Sequence, residues 1–123
     1  DYYYSVGGGV HMGETSEDAV KREVFEETGV NYQVDRLLFV NENFFTDNLL
    51  AETPECHEVS FYYLMKPRGT KELPENTSTC CFGKEKLKWV KLSELEQCNL
   101  LPDFLKKAVL DLPISTTRIV TID

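Results

Sequence analysis

Three glutamates and an arginine lie together near the end of a segment with the pattern of a helix. Glu23, Glu26 and Glu27 follow Arg22, and a helix would place the three carboxylates within an arc of roughly 100°. Two carboxylates roughly 6 Å apart repel each other by about 3 kcal/mol at an effective dielectric near 20. The negative end of the helix macrodipole adds to this repulsion. A divalent cation bound between the carboxylates would convert the repulsion into attraction.

Carboxylate oxygens are hard ligands of the kind that Mg²⁺ or Mn²⁺ prefers. Because Mg²⁺ commonly binds only one or two carboxylates and fills its other positions with water and phosphate oxygens, the cluster indicates a phosphate-bearing ligand. Arg22 can hydrogen-bond one of the glutamates and hold its rotamer. Taken alone, an acidic helix face is more often just solvated.

The cluster needs a loop and a helix to position it. The run Gly7–Gly9 lets backbone groups approach a metal or a phosphate closely, because no Cβ intervenes. Thr15 has the residue type of an N-cap, and Gly29 that of a C-terminal stop, so the pattern predicts a helix over residues 16–28. Glu14 precedes the cap and can reach across the loop toward the helix.

The rest of the chain predicts a mixed set of strands and short helices. Alternating and β-branched residues favour strands over residues 2–6, 32–45, 57–65 and 87–91. Helical spacing of apolar residues favours a helix over residues 102–112, after a short helical turn that begins at Ser93. The apolar tail, residues 118–122, can dock on the domain.

Length and charge restrict the class of protein. A chain of 123 residues is expected to form one domain, residues 1–123. The net charge of −8 argues against a nucleic acid polymer as partner, because binding to a phosphate backbone requires clustered Lys and Arg. We find no pattern of a membrane span or secretion signal, and none of the four cysteines forms a CxxC pair. These features favour a cytoplasmic protein with reduced thiols.

Residues 8–30 resemble the Nudix box of the Nudix hydrolase superfamily. Gly8 is followed after five residues by Glu14, and after seven more by the run REVFEETGV, residues 22–30. The segment GKEKLKWVKLSEL, residues 83–95, is similar to a later strand of that family and the short helix after it. The resemblance implies an α/β/α sandwich with a central mixed sheet. Only seven residues precede the box here, so we expect a truncated N-terminus or a sheet without its N-terminal strands.

The resemblance also implies a function and a metal. A Nudix hydrolase cleaves a phosphoric anhydride bond in a nucleoside diphosphate linked to another moiety, by attack of water on phosphorus, with Mg²⁺ or Mn²⁺ as cofactor. Carried over by position, Glu23 and Glu27 would be the principal metal ligands and Glu26 a ligand or proton acceptor. Gly7 would offer its carbonyl to the metal. The partner would be a small-molecule nucleotide derivative. The resemblance also implies a homodimer, the state of many relatives.

The remaining box residues would support this chemistry. Arg22 would orient the glutamates, and Glu14 would act electrostatically or through a metal-bound water. Gly8 and Gly9 would bind substrate through the backbone.

Outside the box, the assignments stay open. Glu85 matches a late-loop glutamate that some members use as a ligand or base, and Glu58 is its competitor. An ordinary surface charge is the alternative for both, and it is the more usual role for a residue like Glu58. His57 could contact substrate, although a histidine at a strand end is more often structural. Trp89 and other aromatic residues could stack on a base, with packing in the core as the alternative.

Two other classes of protein compete with an enzyme. A non-catalytic nucleotide-binding or sensing module would keep the fold, but it has no need for the complete acidic set. An acidic interaction domain that binds calcium would carry its oxygen ligands in a loop such as the EF-hand, and no such loop occurs here.

Overall fold

The computed structural model of the chain describes residues 2–46, 55–69, 79–80, 83–84 and 87–122. They belong to two compact units, which are described separately. The first unit comprises Asp1–Val34 and Met65–Leu112, and the second comprises Asp35–Leu64 and Pro113–Asp123. Both helical and strand elements are present, and the sheet of the second unit is mixed, so the fold class is α/β as the sequence predicts.

The longest helix, α1, spans Ser16–Thr28, as the capping residues predict. Thr15 has extended backbone angles, and its hydroxyl accepts a hydrogen bond of 3.1 Å from the amide of Asp18. At the other end Gly29 adopts a left-handed conformation with φ of 73°, and its amide donates to the carbonyl of Phe25. Glycine suits this position because a Cβ would be strained there. Both ends of the helix are therefore set by local chemistry.

The second unit is built on a three-stranded sheet in the order β3, β2, β7. Strand β2 spans Val34–Thr46, β3 spans Glu55–Met65, and β7 spans Thr117–Ile122 and runs parallel to β2. Asn41 is 1% exposed at the centre of β2, and its amide group donates to the carbonyl of Ile119 and the hydroxyl of Thr121. Because an unpaired buried amide is costly, these bonds favour one register of β7.

Short elements complete the first unit. Strand β1 (Tyr3–Tyr4) pairs in parallel with β6 (Leu100–Leu101), and β4 (Thr79–Cys80) pairs antiparallel with β5 (Gly83–Lys84). A 3₁₀ helix spans Leu92–Gln97, and helix α2 spans Leu105–Ala108. Their buried side chains and those of α1 form the core of this unit: Ala19, Val24, Thr28, Leu95, Cys98 and Leu105.

Three predicted elements are corrected. Residues 87–91 do not form a strand, because strand propensity alone does not suffice without a hydrogen-bonded neighbour. The first strand is reduced from residues 2–6 to the two that pair with β6. The helix expected over 102–112 is regular only at Leu105–Ala108, since its ends are wound with i to i−3 hydrogen bonds. Pro113 also disfavours helical angles at the residue before it.

Candidate active site

The loop that leads into α1 is closed by Glu14. Its amide donates a hydrogen bond of 3.1 Å to the carbonyl of His11, and its carboxylate accepts one of 2.9 Å from the amide of the same residue. Gly13 lies within this turn with φ of 83°, a conformation that glycine adopts without strain. The turn therefore folds the Glu14 carboxylate back over the loop, onto the amide of His11.

Arg22 joins the loop to the helix. Its Nε and Nη2 donate to the two oxygens of Glu14 at 2.8 and 3.0 Å, which is the bidentate geometry of a strong ion pair. Nη2 also donates to the carbonyl of Gly9 at 3.0 Å. On the helix, Nη1 donates to Glu23 at 2.9 Å and to both oxygens of Glu26 at 3.3 Å. One guanidinium thus contacts three carboxylates and a backbone carbonyl.

Glu23 lies directly beside the glycine loop. A Cβ added to Gly8 would collide with all three atoms of the Glu23 carboxylate, whereas Gly7 and Gly9 have open space at the same position. The Glu23 side chain is only 16% exposed, because the loop covers it. Glycine at position 8 therefore leaves the space that the carboxylate occupies.

The contacts of this network lower the pKa of Glu14 and raise the pKa of Arg22. Hydrogen bonds from the Arg22 side chain, and then from the amide of His11, lower the pKa of Glu14 from 4.5 to about 2. Hydrogen bonds to Glu14 and then to Glu23 raise the pKa of Arg22 above its ordinary range. Glu14 is therefore ionised at any physiological pH.

This arrangement of loop and helix can be compared with known proteins. The family profile of the NUDIX domain matches residues 2–112. The chain belongs to the Nudix family. It is also similar to the RNA pyrophosphohydrolase of Blochmanniella pennsylvanica (strain BPEN), with 58% identity over 31 residues. That match covers 25% of this chain and 20% of the relative, so it spans about a fifth of the relative's length.

Three carboxylates of the Nudix box meet at the guanidinium of Arg22: Glu14, Glu23 and Glu26. Glu26 is about half exposed at the helix surface, and Glu27 is intermediate in exposure. Among the residues that the structure describes, no group of three or more His, Cys, Asp or Glu side chains is placed to hold a metal ion. The donor chemistry of Glu23, Glu26 and Glu27 suits a hard cation, and the space at Gly8 admits a carboxylate. A cation would have to compete with Arg22 for two of these groups.

Two of the predicted residues outside the Nudix box belong to the second unit. His57 and Glu58 are on β3 in the second unit. The His57 ring stacks on Phe44 with centroids 4.3 Å apart, and Glu58 accepts a hydrogen bond from Ser60. Glu85 lies outside the described residues. The roles in substrate binding and catalysis expected for these three residues stay predictions.

Two contacts of the site were not foreseen from the sequence. The amide of His11 binds Glu14, and the carbonyl of Gly9 accepts from Arg22. The first has a sequence signal, since His11 and Glu14 are three residues apart with a glycine between them, which favours a turn. The second involves only backbone on the loop side, so no side-chain pattern indicates it.

We expect Glu14→Gln to reduce stability most at neutral pH. Because folding lowers the pKa of Glu14 to about 2, its carboxylate stabilises the fold above pH 4.5, and this contribution is lost as the pH falls toward 2. The free energy of unfolding, measured by urea titration in the presence of a chelator, should therefore differ between parent and variant by an amount that shrinks over this range.

A matched control for that measurement is Glu17→Gln. Glu17 pairs with Lys21 at 3.6 Å on the exposed side of the same helix, so its removal measures the effect of an ordinary surface charge. A difference between parent and Glu14→Gln that stays constant from about pH 6 to about pH 2 would contradict the lowered pKa.

We expect Gly8→Ala to displace the Glu23 side chain while the fold is retained. The new methyl group would occupy the position of the carboxylate, which is the flexible end of its side chain and can rotate away. Circular dichroism should therefore be unchanged, and NMR of the Glu23 side chain should report the new rotamer. An unchanged Glu23 environment in the variant would show that the loop does not cover this carboxylate.

Proposed function

We propose that this protein hydrolyses the diphosphate bridge of a nucleoside diphosphate linked to another moiety, by attack of water on phosphorus and with Mg²⁺ or Mn²⁺. The observation that carries the proposal is the Arg22 network, which holds the glycine loop against the acidic helix. On an ordinary solvated helix face, we would not expect an arginine to bind four different partners. Membership of the Nudix family supports the same chemistry.

An anionic substrate requires positive charge at this site. The chain has a net charge of −8, and the cluster itself is acidic, so a diphosphate would be repelled without a cation. Bound Mg²⁺ or Mn²⁺ supplies neutralisation of the phosphoryl oxygens and lowers the pKa of coordinated water. We assign the ligand role to Glu23 and Glu27, together with the carbonyl of Gly7, and give Glu26 the role of a further ligand or of the proton acceptor.

Each residue of the network has a distinct task in this proposal. Glu14 is ionised at physiological pH, and it fixes the guanidinium of Arg22 through two hydrogen bonds. Arg22 in turn positions Glu23, which the loop confines beside Gly8. Hydrogen-bonding partners of this kind fix the orientation of a carboxylate that binds a metal.

Glu26 is the described glutamate best suited to accept a proton from the attacking water. It is about half exposed, and its two hydrogen bonds to Arg22 are the longest of the network, at 3.3 Å. A group on the helix surface with weak contacts can turn toward substrate more easily than Glu23. Glu85 and Glu58 remain the alternatives for this role.

A second candidate function concerns the 5′ end of RNA. The similar protein of Blochmanniella pennsylvanica is named an RNA pyrophosphohydrolase, and the 58% identity over the matching residues favours testing that substrate. The bond that would be broken is again a phosphoric anhydride. The acidic charge of this chain argues for a small nucleotide instead, because RNA binding gains from basic surfaces.

We also propose a cytoplasmic location, and we retain the prediction of a homodimer. No helix in the described part of the chain has the length and apolar character needed to cross a membrane. Cys98 is a buried free thiol, which a reducing compartment maintains, and this supports a cytoplasmic location. The homodimer stays a prediction that analytical ultracentrifugation would test.

We expect Glu27→Gln and Glu26→Gln each to lower turnover by about 100-fold or more, because each removes a charge that the metal or the attacking water requires. The matched control is Glu17→Gln. Like Glu26, Glu17 is about half exposed on α1 and pairs with a cationic side chain four residues away. This control should keep the parental rate. Turnover of Glu27→Gln at the parental rate would contradict the metal assignment.

The substrate class is tested by a screen with Mg²⁺ or Mn²⁺. The protein is incubated separately with each of five kinds of compound: nucleotide sugars, ADP-ribose, dinucleoside polyphosphates, oxidised deoxynucleoside triphosphates and a 5′-triphosphorylated RNA oligonucleotide. Released phosphate is measured after a coupled phosphatase. We expect hydrolysis of at least one small nucleotide, dependent on the metal. Hydrolysis of the RNA alone would favour the second candidate, whereas binding without hydrolysis of any compound would indicate a sensing module.

A further inference from the structure

The contact between Arg22 and Glu26 differs from the other ion pairs of the Arg22 network. Glu14 and Glu23 accept hydrogen bonds of 2.8 to 3.0 Å, and their side chains are 17% and 16% exposed. Glu26 is 52% exposed, and both of its oxygens lie 3.3 Å from the same nitrogen, Nη1. This length is beyond the usual range of N–H···O hydrogen bonds. Arg22 therefore has two firm acidic partners that are covered and one weak acidic partner at the surface.

The position of Nη1 in front of the Glu26 carboxylate obstructs other partners of that group. A nitrogen at equal distances from both oxygens lies between them, on the open side of the carboxylate. A cation that both oxygens share would take the same position. A proton accepted from water also needs a carboxylate lone pair, for which the guanidinium competes. The contact therefore obstructs both roles that we propose for Glu26. By contrast, the hydrogen bond to Glu23 uses only its Oε1.

The strengths of these contacts determine which of them yields to a cation. Exposed ion pairs four residues apart on a helix are weak, because water screens the charges and two long side chains lose rotamer freedom. A bidentate pair between a guanidinium and a covered carboxylate, as with Glu14, is stronger. A divalent cation carries twice the charge of a guanidinium, so it attracts the Glu26 carboxylate more strongly than Nη1 does at the same distance. Of the two contacts, the one with Glu26 is the easier to break.

We propose that Arg22 is a positioning residue for Glu26, which it holds in the absence of a divalent cation and releases when the cation binds to the acidic helix. The hydrogen bonds to Glu14 and Gly9 stay in place, so the guanidinium remains on the loop. Nη1 keeps Glu23 as its acceptor. The inference rests on the proposed function in taking Glu26 as a metal ligand or proton acceptor. It adds that Glu26 becomes available for either role only together with the cation.

Nitrogen NMR of the arginine side chains tests the release directly. The Arg22 signals of isotope-labelled protein are assigned by their loss in Arg22→Lys, and Mg²⁺ is added until calorimetry shows saturation. We expect Nη1 to shift and its protons to exchange faster with water, while Nε, which Glu14 holds, keeps its position. An Nη1 signal that is unchanged at saturation would overturn the proposal. A shift of Nε as large as that of Nη1 would also overturn it, because the whole guanidinium would then have moved.

Glu26→Gln gives a second measurement that needs no metal. A neutral amide attracts the guanidinium less than a carboxylate does, so in this variant, without metal, Nη1 should have the shift and exchange rate of the parent saturated with Mg²⁺. The matched control is Glu17→Gln, which removes a half-exposed carboxylate of the same helix that pairs with Lys21. Its Nη1 signal should equal that of the parent, both with and without Mg²⁺. If the Nη1 signals of Glu26→Gln and the parent coincide without metal, the proposal is wrong.

These measurements separate this inference from the proposed function. Release of Nη1 by Mg²⁺ in a protein that hydrolyses no compound of the screen would support the inference and remove the enzymatic proposal. Metal-dependent hydrolysis with no change at Nη1 would support the enzyme and overturn the release. Absence of binding of both Mg²⁺ and Mn²⁺ would overturn the inference together with the metal assignment.

Discussion

The interaction on which the site depends is the set of hydrogen bonds made by the Arg22 guanidinium. A guanidinium is planar and always charged, and it presents five donors in a fixed fork. Here the fork is shared between two parts of the chain, since Glu14 and Gly9 belong to the loop and Glu23 and Glu26 to the helix. A lysine could balance the charge, but its compact ammonium could not make the bidentate contact with Glu14 while reaching the other partners. The arginine therefore both neutralises part of the acidic cluster and sets its geometry.

The repulsion among the glutamates is relieved in part within the protein itself. The sequence predicts that a cation relieves it, and in the structure the side chain of Arg22 already neutralises part of the cluster. A metal ion would consequently exchange one set of ionic contacts for another.

Sequence reasoning succeeded where the determinants are local and failed where they depend on distant partners. The bounds of α1 follow from Thr15 and Gly29, because capping involves only neighbouring groups. The segment around Trp89 has the residue types of a strand, yet a strand forms only when another segment pairs with it. The site shows the same division. The acidic residues of the helix were found from their spacing, whereas the contact of Gly9 with Arg22 depends on the path of the backbone.

The close approach of Gly8 and Glu23 has a consequence for protein engineering. The volume that the carboxylate fills is created by the absence of a side chain on a different segment, so neither part retains its geometry when moved alone. A peptide of α1 grafted onto another scaffold would bring its acids and its arginine but lose half of the partners that orient them. The loop and the helix of this protein consequently form one structural module, and a graft that keeps its geometry must carry both.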